Sequence, residues 1–241
     1  MIPRTLLLLI LLGPAANGAM ADALRVAVAA NFREAFELVA GLYEQQGGGR
    51  SEGIYGSSGM LYAQATQGAP FALFLSADME RPTRLAASGF TTGPAQVYAR
   101  GRLVLWMPDR TASPELLRGH RFAMANPQLA PYGAAARACL EHLQLWGENA
   151  GRIIYGTNVA QAFHFVVSGA VPAGFVAYSQ VLGRQVPAAE IWLAPAECHP
   201  PIEQGAVVLK GEHAAAAQDF LSFLLSEPVQ AQLESLGYDG P

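Results

Sequence analysis

Leu24-Arg25-Val26-Ala27-Val28-Ala29-Ala30-Asn31-Phe32 decides how the rest of this chain is read. Small and β-branched residues run without alternation up to Ala30, the pattern of a strand buried on both faces of a parallel sheet. Asn31 is then read as the cap of a helix carrying Phe32, Phe36, Val39, Ala40 and Tyr43 on one stripe. Glu34 stands three residues on, the spacing of a capping box. Gly47-Gly48-Gly49 closes the unit. The same strand, polar loop and helix recur at Glu52 to Gln67 and at Phe71 to Ser88. Such alternation predicts an α/β fold built on mixed, mainly parallel sheets, with ligands held beyond the strands' C-terminal ends.

Further along, Leu103 to Trp106 reads as a strand leaving that unit for another. Strands at Arg121 to Met124, Ile153 to Tyr155 and Ala173 to Ala177 alternate with helices at Tyr132 to Trp146 and Val159 to Ser168. The proline-rich stretch Ile191 to Pro201 is expected to pass back. Ala206 to Leu209 and a helical tail from Ala214 to Leu236 then complete the first unit. The predicted organisation is two lobes, 22–101 with 202–241 and 102–201, joined by strands with the ligand cleft between them.

Four loops attract attention because each places a small polar or backbone donor where a helix begins: Ala29 to Phe32, Gly56 to Gly59, Pro131 to Gly133 and Thr157 to Val159. A helix start leaves unpaired N–H groups and about half a positive charge, so several aimed at one point hold an anion without Lys or Arg. Taken singly, Ser57-Ser58 is a turn and cap, and Asn31 is a cap. Tyr132, between a proline that enforces an extended approach and a glycine that leaves room, is harder to place in a core and is expected to point into the cleft. Asp78 would repel an anion and is read as a structural cap.

Composition excludes several alternatives. The chain has 241 residues, 51% hydrophobic and 14% charged, with a net charge of −4, and Lys210 is its only lysine. That balance argues against nucleic acid or anionic lipid as a partner. Gly56-Ser57-Ser58-Gly59 is one residue short of a nucleophile elbow and no histidine is placed as its base, so a serine hydrolase is disfavoured. The five histidines stand alone and Cys-x-x-Cys is absent, so no protein metal ligands are expected. Cys139 and Cys198 could pair in an oxidising compartment, but one falls on a helix and the other in a proline-rich loop, so free thiols are expected. Arg4, the apolar run Leu6 to Leu12 and Ala19-Met20-Ala21 read as a cleavable export signal over residues 1–21, so the mature chain is expected to be exported.

Val26 to Phe32, Tyr55 to Leu61, Gln67-Gly68-Ala69-Pro70 with Leu75-Ser76-Ala77-Asp78, Ala125 to Gly133 and Gly174 to Ala177 together resemble the periplasmic molybdate-binding proteins of ABC importers. The likeness covers nearly the whole mature chain, and the Gly-Ala-Pro and Ser-Ala-Asp segments after a Ser-Ser loop are its most specific part. The resemblance implies a type II two-lobe binding protein, a monomer without cofactor or enzymatic activity. Such a protein closes over dehydrated molybdate or tungstate and delivers it to an ABC permease. Carried over position by position, it puts the ligand on Ala30 and Asn31, where many relatives have Ser, on Ser58, on Tyr132, where many have a small residue, and on the N–H of Val159. Many members also have a ligand tyrosine where this chain has Ala177; a subgroup with Asn and Tyr in the first and third loops suggests Tyr132 as the substitute. Tyr178, one residue out of register on its strand, is expected to face away. Sulfate or another tetrahedral oxyanion is the nearest rival ligand.

Overall fold

The structure is a computed structural model describing residues 23–241, so the expected export signal lies outside the described residues. The run that opened the reading is β1 (Leu24–Ala29), an interior strand of a five-stranded sheet. It pairs in parallel with β2 (Ser51–Gly56) and β3 (Leu73–Leu75). Side chains alternate across a strand, and here both sides are covered. Val26 and Val28 pack with Phe36 and Val39 of α1 (Arg33–Gln45) and with Phe220 and Leu224 of α8 (Ala214–Leu224). Ala27 points the other way, into Leu61 of α2 (Ser58–Thr66) and Leu85 of α3 (Glu80–Ala87). Double coverage explains why β1 shows no polar alternation.

Order in this sheet is β2-β1-β3-β10-β4, with β4 spanning Gln96–Gly101 and β10 Ile202–Val208. A second sheet has order β7-β6-β8-β5-β9: β5 (Leu103–Trp106), β6 (Phe122–Ala125), β7 (Ile153–Gly156), β8 (Gly174–Ala177) and β9 (Ile191–Leu193). One face carries α4 (Pro131–His142) and the other α6 (Val159–Val167). The short α5 (Trp146–Asn149) and α7 (Tyr178–Gly183) sit at the edges, and α9 (Glu227–Ser235) follows α8. Two sheets with their own helical layers are the two lobes expected.

Both sheets are mixed and mainly parallel in strand direction: four strands of each run one way and one runs against them. β10 runs antiparallel to β3 and β4, and β5 runs antiparallel to β8 and β9. The reason is topological: β5 and β10 are the strands that follow the passages between lobes, and each lies between two neighbours that run the opposite way. Only Arg102 separates β4 from β5. Loop 194–201 makes the return passage. Part of the proline-rich stretch is strand β9, and the helical tail breaks in two around Ser226, the residue before α9.

The two cysteines form a disulfide, Cys139–Cys198, contrary to the expectation of free thiols. Local context argued against pairing because it ignores where the return loop goes. That loop folds onto α4, bringing the two Cα atoms to 4.4 Å. The bridge thus ties the helix that carries Tyr132 to the segment leading into β10. Among the described residues no helix is long and apolar enough to cross a membrane.

Candidate functional site

Ala30, Asn31, Ser58, Tyr132 and Val159 all line one small cavity between the two sheets, with about 10 Å³ open to a water-sized sphere. Ala29, Gly56, Ser57, Ala77, Ala130, Pro131 and Asn158 complete the wall, so none of its lining residues carries a charge. The cavity lies beyond the C-terminal ends of β1, β2, β6 and β7, the crevice position typical of such sheets.

Three helices start at this wall. Ser57 caps α2, its hydroxyl accepting from the Met60 N–H at 3.3 Å. Asn158 caps α6 in the same way, accepting from the Gln161 N–H at 3.0 Å. Pro131 takes the first position of α4, where its missing N–H costs nothing and its fixed φ suits the helix. The following residue of α4 is Tyr132, and Gly133 comes next. A Cβ at Gly133 would sit 2.3 Å from the Ala125 carbonyl oxygen, so glycine is what lets this helix start against the end of β6. The helix starts at Ser58 and Val159 supply N–H groups without intrahelical partners.

Donor polarity follows from the bonds already made. Ser58, 1% exposed, accepts the Ala77 N–H at 2.9 Å, which leaves its own proton for the cavity. Asn31 is not the helix cap its sequence suggested. It sits in a single 3-10 turn, Ala30–Phe32, without a side-chain cap, because its amide is engaged elsewhere. Nδ2 of Asn31 donates to Gln204 Oε1 at 2.8 Å, a contact across 173 residues. The second Nδ2 proton remains. Tyr238, near the C-terminus, donates to the Asn31 backbone carbonyl at 2.7 Å and so turns that acceptor away from the wall.

Tyr132 is buried, and burial pushes its phenol pKa well up, with Tyr238 adding to the effect. Its hydroxyl therefore stays protonated across the physiological range. Tyr178 does not lie on a strand: β8 ends at Ala177 and Tyr178 opens α7. Its ring carries the Arg102 guanidinium 5.4 Å from its centroid and is no part of the cavity wall. Asp78 does cap: it accepts the Arg81 N–H at 3.0 Å and pairs with the Arg81 guanidinium, outside the cavity. The lobes also meet directly, where the Gly59 N–H donates to the Leu129 carbonyl at 2.9 Å.

Sequence reasoning missed Gln204, Tyr98 and Tyr238, which stand behind the wall. Tyr98 donates to Gln204 Oε1 at 3.1 Å. Their local sequence carries no signal of the role, because each depends on partners far along the chain.

Residues 24–239 match the family model of the bacterial extracellular solute-binding proteins. The chain is 37% identical to the molybdate-binding protein ModA of Rhodobacter capsulatus, over 88% of this chain and 86% of that one. It is 35% identical to the protein of the same name from Azotobacter vinelandii, over 94% and 93%. The solved periplasmic molybdate-binding protein of Azotobacter vinelandii superposes with a TM-score of 0.85 at 36% identity, covering 90% of this chain and 99% of that one.

Proposed function

We propose that this chain, which belongs to the bacterial extracellular solute-binding protein family and within it to the molybdate-binding proteins, captures molybdate or tungstate in the periplasm for an ABC importer. It is a binding protein and not an enzyme. The observation that carries the reading is the uncharged cavity itself, ringed by three helix N-termini and by the neutral side chains of Asn31, Ser58 and Tyr132. A tetrahedral oxyanion only accepts hydrogen bonds, and this wall offers it hydroxyl, amide and backbone N–H donors without a competing charge.

In this reading the anion is held by the side chains of Asn31, Ser58 and Tyr132 and by the N–H groups at Ala30, Ser58 and Val159. Charge-assisted bonds contribute about 1.5–3 kcal/mol each, so about six can offset dehydration of the dianion and leave tight binding. Tyr132 supplies the phenol that Ala177 cannot. Residues 22–101 with 202–241 form one lobe and 102–201 the other, so donors from both sides meet only when the cleft is shut. The mature chain, cleaved near Ala21, acts as a monomer and passes its anion to the permease.

A thermal-shift panel of oxyanions on the mature protein tests this. Molybdate and tungstate are expected to raise the melting temperature by several degrees, since ligand at about 100 times Kd adds about 2.7 kcal/mol. An equal shift with sulfate would transfer the assignment to that anion, and no shift with any oxyanion would remove it.

A further inference from the structure

We propose that Gly59 is the residue that lets the cleft shut, its N–H and its lack of a side chain fastening the loop of Ser58 to the loop of Tyr132. The inference rests on the reading of the cavity as an oxyanion site closed by two lobes, and names a residue that acts on it without touching the ligand.

Between the lobes, the Gly59 N–H donates to the Leu129 carbonyl at 2.9 Å. Gly59 follows Ser58 in the first turn of α2, and Leu129 comes shortly before Tyr132 in the approach to α4. Gly59 is not among the residues lining the cavity. The start of α2 leaves N–H groups that the helix cannot pair. That of Met60 goes to the Ser57 hydroxyl at 3.3 Å, and that of Leu61 opens the helical ladder on the Ser57 carbonyl at 3.0 Å. That of Gly59 crosses the cleft, which leaves the Ser58 N–H for the anion. With the lobes apart, the Gly59 N–H would face water.

Glycine here is not a requirement of the backbone. Residue 59 is helical, a conformation open to any amino acid, and glycine weakens a helix relative to alanine. What excludes a side chain is the other lobe. A Cβ on Gly59 would stand 2.9 Å from the Leu129 carbonyl oxygen and 3.3 Å from the Leu129 Cα. Both are backbone atoms, which no change of rotamer can move aside. The nearest atom of its own lobe outside α2 is Arg81 Nη2 at 3.4 Å, the end of a long side chain.

The partner loop is shaped to offer that carbonyl. Asn126 folds it into a turn: its side chain accepts the Gln128 N–H at 2.9 Å, and its carbonyl accepts those of Leu129 at 3.1 Å and Ala130 at 3.0 Å. The Gln128 carbonyl accepts from Arg81 Nη2 at 3.4 Å, and Arg81 is itself paired with Asp78. Two neighbouring carbonyls of the second lobe thus meet two donors of the first. A methyl group at position 59 would hold these loops apart and keep Ser58 from an anion held by Tyr132 and Val159. Gly59 is therefore a positioning residue, acting through closure.

Gly59→Ala sets two effects against each other. Without ligand, alanine favours α2, so the melting temperature is expected to match or exceed that of the wild type. Molybdate affinity, by calorimetric titration, is expected to fall about 5- to 150-fold, the range for forcing a methyl group into a packed contact. Amide hydrogen exchange of the wild type, followed by NMR, reads the bond itself: the Gly59 N–H is expected to be better protected in the molybdate complex than in the ligand-free protein. Wild-type affinity in Gly59→Ala would overturn the proposal. So would a ligand-free melting temperature several degrees below the wild type, which would place the glycine's role inside the first lobe, or a Gly59 amide left unprotected in the complex. If the wild type itself takes neither molybdate nor tungstate, the reading of the cavity fails first and this inference falls with it.

Discussion

Replacing Ser58 by alanine removes one oxygen that serves two partners, and the two losses are read by different experiments. In the free protein, Ser58 Oγ accepts the Ala77 N–H at 2.9 Å, with Ser58 1% and Ala77 3% exposed. Deleting the acceptor strands a buried N–H, which costs about 1–3 kcal/mol. For a chain of this size, each kcal/mol lowers the melting temperature by about 2–4 °C. The second loss is the hydroxyl's proton, which in our account meets the bound dianion. A bond of that kind contributes about 1.5–3 kcal/mol, equivalent to about 10- to 150-fold in Kd. Melting of the ligand-free variant measures the first loss, and calorimetric titration with molybdate measures the second. A variant that melts several degrees lower yet binds as tightly as the wild type would show that Ser58 only ties β3's exit to α2. That result would refute the donor assignment.

Other expectations divide along the same line. Tyr132→Phe keeps the ring and removes only the proton donor, so it should weaken molybdate binding by about 1–3 kcal/mol with little change in ligand-free melting. Tyr178→Phe should leave affinity unchanged; the reverse pattern by titration would return the phenol's role to the region after β8. Cys139→Ala opens the bridge across a separation of 59 residues and should lower stability by about 2–4 kcal/mol, measured by urea unfolding against the oxidised wild type. Burial raises the phenol pKa of Tyr98, Tyr132 and Tyr238, while their unfolded value stays at about 10. The unfolded state therefore loses protons first, so stability is full below about pH 10 and falls as pH rises through it. A melt series across that range checks the sign.

The sequence made β1, the Ser57 and Asn158 caps and the Asp78 cap legible because each depends on residues within three or four positions. It also brought Ala30, Asn31, Ser58, Tyr132 and Val159 forward as a set, through the recurrence of donors at helix starts together with the family resemblance. What it could not show is long-range. Asn31 looked like a cap because asparagine after a strand usually is one; its partner lies 173 residues away, on a strand whose start was read four residues late. The disulfide depends on where a proline-rich loop lands, and no local pattern encodes that. The single antiparallel strand of each sheet has the same origin, since its direction depends on how the chain passes between lobes.

The central claim is that an uncharged cavity of donors selects a large tetrahedral dianion. Its most direct test is a calorimetric titration of molybdate into the mature protein, repeated in a large excess of sulfate. Our account predicts saturation at one anion per chain, with an affinity that the sulfate barely lowers. Absence of heat and of saturation, or displacement by sulfate in proportion to its excess, would contradict it.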